Sequence, residues 1–132
     1  MNRLTSHISR LTKKNKMNHK ELDVWKYSMD LVEMVYTISS KFPDEEKYGI
    51  TSQMRRAAIS IPSNIAEGAG RKGDKELVQF ISIALGSLSE LETQYLIAVR
   101  LKFVESDEVL VDLIVKVKQL LLGFRNYVIR KS

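Results

Sequence analysis

Apolar residues recur along this chain at spacings of three and four, the period of helices with one face turned to a core. Leu22, Trp25, Met29, Val32 and Tyr36 form one such row, and Val24, Leu31, Val35 and Ile38 form a second beside it. Asn18 and Glu21 have the spacing of a capping box just ahead of them. The pattern predicts a first helix over residues 19–41, with Trp25 and Tyr36 in the core and Tyr27 off the main row. Phe42-Pro43-Asp44 ends it, because the residue before a proline is driven out of helical geometry. A second helix is expected from Thr51 to Glu67. Its Ile50, Met54, Ala57, Ala58, Ile61 and Ile65 fall within about 80° on a helical wheel. Pro62 interrupts the hydrogen-bond ladder but keeps this phase, which predicts one kinked helix. Gly68 and Gly70 are read as its stop.

Asp74 is the expected N-cap of a third helix running to about Phe103. Leu77, Phe80, Ala84, Leu88, Leu91, Tyr95 and Ala98 form its apolar row. Its middle, Ser82 to Ser89, is rich in small residues, and Gly86 there is read as a site of close helix packing. Ser106-Asp107-Glu108 opens a fourth helix with acids set against the helix dipole. Val109, Leu113, Val117, Leu120, Leu121, Phe124 and Val128 are its main apolar set. No segment alternates as a strand would. The expectation is all-α: an up-down-up-down four-helix bundle with a proline-kinked second helix over residues 18–131. Residues 1–17 are read as a basic, mostly disordered tail.

Charge sharpens that division. The 132 residues carry a net charge of +5, yet residues 1–20 hold six basic residues and no acid. The basic excess therefore belongs to the tail rather than to the bundle, which weakens any reading of the folded body as a general nucleic-acid binder. An acid-free basic start also has the composition of an organellar transit peptide; a bacterial tail, with Met17 as an alternative start, is the simpler reading. Cysteine is absent, and His7 and His19 both lie near the N-terminus. That removes thiol chemistry and makes a His-built catalytic or metal centre improbable. No cofactor is expected, and without a membrane-length apolar run the expected location is the cytoplasm. Two helices carry more apolar positions than one core stripe needs. Either their stripes are wide or a second surface is buried by self-association.

The stretch Gly68-Ala69-Gly70-Arg71-Lys72-Gly73 matches the G-x-G-x-x-G pattern of dinucleotide sites. A dinucleotide site needs a strand before it, and here a helix is expected. Two readings stay open, a structural helix-helix turn or a phosphate contact by Arg71 and Lys72 beside a helix N-terminus. Arg55 and Arg56 also admit two readings, phosphate recognition or a pair with Glu90 or Glu92; the pair is favoured. With Ser60, Asn64 and Glu67 they form an expected polar network at the proline, in which Asn64 or Ser60 answers the carbonyl that Pro62 frees. Without an adjacent His, Glu90 and Glu92 do not make a bundle metal site.

The run from Phe42 to Leu101 closely resembles the four-helix-bundle proteins encoded in intervening sequences of bacterial 23S rRNA genes. The motifs that carry it are Tyr48-Gly49-Ile50-Thr51, Arg55-Arg56-Ala57-Ala58, Ser63-Asn64-Ile65-Ala66-Glu67-Gly68 and Glu90-Leu91-Glu92-Thr93-Gln94, with Leu22-Asp23-Val24-Trp25 ahead of them. The resemblance is strong over Leu22 to Phe103. It implies a ring-like homopentamer and no established catalytic activity. It also implies kinship with accessory proteins of diversity-generating retroelements, which bind a reverse transcriptase and nucleic acid. The expected function is a homopentameric scaffold for protein or nucleoprotein partners. The alternative is RNA or DNA binding through the tail and Arg71, Lys72, Lys116, Lys118 and Arg125.

Overall fold

A computed structural model describes residues 17–132, so the expectations for residues 1–16 lie outside it. Four helices follow in order: α1 (Asp23–Ser39), α2 (Ile50–Ala69), α3 (Asp74–Arg100) and α4 (Glu108–Lys131). Single 3-10 turns, His19–Glu21 and Asp44–Glu46, precede α1 and α2. α1 packs on α2 and α4, α3 packs on α2 and α4, and the diagonal pairs do not meet. With the short connections between them, this is the up-down-up-down four-helix bundle.

The first helix starts later than its pattern suggests. Asn18 does cap, accepting from the Lys20 amide at 3.1 Å, but what it caps is the 3-10 turn. Leu22 then takes an extended conformation and buries its side chain in the core before α1 begins. Met17, assigned to the tail by composition, packs half-buried against the same core. Within α1 the two apolar rows exchange roles. Val24, Leu31, Val35 and Ile38 are buried, whereas Met29 and Tyr36 are exposed and Trp25 and Val32 half-buried.

α2 runs unbroken through Pro62 as one element. Gly68 does not end it. The glycine lies inside the helix, where an added Cβ would come within 2.8 Å of the Phe80 Cβ and 3.1 Å of a Leu77 methyl. Its value is close approach of α2 to α3, the most extensive helix contact in the bundle. Gly86, read as the close-packing glycine, is exposed, and a Cβ there would meet nothing within 4 Å.

The N-cap of α3 is Gly73, whose backbone is extended; Asp74 is the first helical residue. Its carboxylate reaches instead to the end of α4, accepting from the Ser132 hydroxyl at 3.0 Å and lying 3.5 Å from the Lys131 ammonium. An acid at a helix start thus meets a base at a helix end. At the other end of α3, the Lys102 amide donates to the Val99 carbonyl and the Phe103 amide to Ala98. These bonds form a Schellman motif with Lys102 in the left-handed conformation at φ 63°. The helix therefore stops at Arg100, short of Phe103. Phe103 instead turns back onto Phe42, with ring centroids 6.0 Å apart. α4 starts at the expected Ser106-Asp107-Glu108 run, and within it Asp107 is the N-cap, its Oδ1 accepting from the Val109 and Leu110 amides at 3.0 and 3.2 Å.

Candidate functional site

The glycine-rich loop joins α2 to α3, with a helix on both sides. Arg71 in it is already engaged. Its guanidinium lies 3.4 Å from a Glu67 oxygen and 3.8 Å from a Glu76 oxygen, and 5.0 Å from the Phe80 ring centroid. Lys72 is exposed and has no partner among the described residues. The first turn of α3 holds Asp74 and Glu76, placing negative charge where an anion would approach the helix N-terminus. Gly68, the first glycine of the pattern, serves helix packing. The loop has the parts of a helix-helix turn.

The predicted polar network divides into separate contacts. Arg55 turns to α1, not to Glu90 or Glu92. Its Nε donates to the Ser39 hydroxyl at 2.8 Å, a second nitrogen reaches the Tyr36 carbonyl at 3.4 Å, and the guanidinium lies 4.4 Å from the Tyr36 ring centroid. This holds Tyr36 at the surface, 40% exposed, rather than in the core. Arg56 is exposed and makes no ion pair among the described residues. Ser60 bridges α2 to α3 through the Ser87 hydroxyl at 2.8 Å. Asn64 donates to the Ser60 carbonyl and hydroxyl, at 2.8 and 2.9 Å, so its amide does not answer the Ala58 carbonyl freed by Pro62. Glu67 belongs to Arg71. Glu90 accepts from the Gln94 amide at 3.2 Å, and Glu92 is half-buried without a partner among the described residues.

Of the remaining basic candidates, Lys116 places its ammonium 4.6 Å from the ring centroid of Tyr27, which is half-buried rather than a free surface ring. Lys118 and Arg125 make no hydrogen bond or ion pair among the described residues. Lys118 and Arg125, seven residues apart, share a face of α4; Lys116 points some 160° away from Lys118 at about 100° per residue. The five basic candidates therefore form no single patch.

Sequence reasoning missed Gln94. Its side chain is 7% exposed and its Oε1 is buried without a donor. The Glu90 to Gln94 spacing of four was the available signal, since it places both on one helix face. Tyr95, read only as core, also accepts from the Asp107 amide at 2.7 Å and so ties the α3–α4 loop to the bundle. An open groove of about 460 Å³ beside α1 is lined by Asp30, Glu33, Met34, Thr37, Ile38, Lys41 and Asp107. Among the described residues, no three His, Asp or Glu side chains are placed to hold a metal ion. No described helix is long and apolar enough to cross a membrane.

The Ser60–Ser87 bond, the Arg55 contacts and the Asp74 tie all join helix to helix, and apolar residues such as Met29, Ile83, Leu96 and Ile129 remain uncovered. That defines an all-α helical-bundle protein with a small set of polar ties between its helices. The chain belongs to the family of 23S rRNA-intervening sequence proteins, whose model matches residues 20–123. The match runs from the turn before α1 well into α4, beyond the stretch that carried the resemblance. No curated protein matches the chain.

Proposed function

We propose that this chain is a non-enzymatic, cytoplasmic scaffold that assembles as a homopentameric ring and presents its outer faces to protein or nucleoprotein partners, a reverse-transcriptase-like protein among them. The observation that carries the reading is the apolar surplus. Ile83, Leu101, Val109 and Ile129 are each at least half exposed, well beyond what closing one four-helix core uses. Rows of this kind are costly to leave in water and mark protein contacts. The ring is the assembly that the family resemblance implies. Native mass measurement tests it: a pentamer is expected, and a monomer at micromolar concentration refutes it.

A second reading is binding of RNA or DNA. It draws on six basic residues without an acid in residues 1–20. On the bundle it has Lys72, Lys118 and Arg125 as free cations, while Arg71 and Lys116 are engaged.

A further inference from the structure

α3 and α4 each carry a surface row in which gaps of four and three alternate, the spacing of a coiled-coil seam. On α3 the row is Ile83, Ser87, Glu90, Gln94, Ile97 and Leu101; on α4 it is Val111, Val115, Lys118, Leu122, Arg125 and Ile129. Both rows are apolar at their ends. Ile83, Ile97 and Leu101 are 50, 43 and 56% exposed, and Val111, Val115 and Ile129 are 38, 44 and 52% exposed. At its centre the α3 row is polar, and the α4 row carries Lys118 and Arg125 on either side of Leu122, so the two centres bear opposite charge. Glu90 stands on α3, and Lys118 and Arg125 stand unpaired on α4. Lys118 makes no ion pair even with Glu92 of its own chain. Gln94, in the acidic row, is 7% exposed, and its amide oxygen is closed off within its own chain.

We infer that these rows are the two halves of one contact between copies: the α3 row of one copy docks on the α4 row of the next. The inference rests on the self-association reading and specifies which faces meet. The rows have equal length, about 27 Å at 1.5 Å per residue. α3 and α4 run antiparallel within the chain, and the rows are laid antiparallel across the contact as well. Ile83 then faces Ile129, Leu101 faces Val111, and Ile97 faces Val115. Gln94 faces Lys118, Ser87 faces Arg125, and Glu90 faces Leu122, between Lys118 and Arg125. The charges are complementary. The two rows are different surfaces, so the contact is head-to-tail. Each added copy leaves one row open until the series closes into a ring. The Ser87 bond to Ser60 shows that the α3 row leans toward α2, whereas the α4 row lies away from the Lys116 side that meets α1. The rows thus occupy neighbouring rather than opposite sides of the bundle, as ring closure over a few copies requires. Lys118 and Arg125 become subunit contacts rather than nucleic-acid contacts.

The test measures native mass of the full chain, with circular dichroism to follow helix content. Glu90→Lys sets like charges against each other across the contact, and Lys118→Glu combined with Arg125→Glu does so from the other side. Each variant is expected to stay helical and to dissociate, its dissociation constant raised about a hundredfold. Combining all three substitutions restores opposite charges with the signs exchanged and is expected to recover the parent's mass. An assembled parent with an equally assembled Glu90→Lys variant overturns the seam and leaves self-association standing. So does a triple variant that stays dissociated. A monomeric parent overturns the scaffold reading and the seam with it.

Discussion

Gly68 and Gly86 both sit inside helices, and the bundle uses them in opposite ways. Gly68→Ala would drive a methyl against the Phe80 Cβ, which is held by backbone and cannot swing aside. Overpacking of this kind costs about 1–3 kcal/mol. Gly86→Ala adds a methyl to open space and removes backbone freedom from the unfolded chain, so a gain of about 0.5–1 kcal/mol is expected. Urea denaturation of the two variants checks both signs. Lys102 makes a third case. A non-glycine residue at φ 63° in a Schellman motif is strained, and Lys102→Gly is expected to stabilise the fold by about 1 kcal/mol. None of these roles was legible in the sequence. A helical pattern places a residue on a face but does not say whether a neighbouring backbone comes close to it. The sequence reading therefore gave Gly68 and Gly86 the wrong tasks.

At the scale of elements, the helices were legible because their apolar rows are long and in phase. Their ends were not, because ends depend on tertiary contacts. The Ser106-Asp107-Glu108 run marks the start of α4 correctly, since the Asp107 side chain and the amides it serves are adjacent in sequence. Asp74 was misread because its partners, Lys131 and Ser132, are at the far end of the chain. In α1 two apolar rows competed, and only the packing of α2 and α4 decides which is buried. Tyr95 joins two elements in a way that can be measured. Tyr95→Phe keeps the ring in the core but removes the acceptor of the Asp107 amide. A part-buried amide left without a partner costs about 1–3 kcal/mol. The expected result is a lower urea midpoint with an unchanged slope, since the surface exposed on unfolding is the same. A slope that fell as well would mean that the α3–α4 loop had lost its order in the native state.

For the whole molecule, the decisive question is where its positive charge resides. Arg3, Arg10, Lys13, Lys14 and Lys16 precede Met17, and the other 16 basic residues are matched by 16 acidic ones. The described bundle is thus close to neutral, with Arg71 between two carboxylates and Lys116 over an aromatic ring. The candidate basic residues were legible as residue types. Their scatter over different faces was not, because it depends on how the helices pack. Any binding of single-stranded RNA should accordingly follow the first 16 residues. For one chain the five charges predict a slope of about −3.5 in log affinity against log salt, from about 0.7 per phosphate neutralised. Starting the chain at Met17 should remove this binding while leaving helix content and assembled mass unchanged. Fluorescence anisotropy with a short labelled RNA, measured between about 50 and 200 mM salt, reads the affinity and its salt slope. Retained binding with a slope near that of the full chain would place the contact on the bundle. Lys72 would then be the first residue to replace, because Lys118 and Arg125 belong to the proposed seam and Lys72 lies outside it.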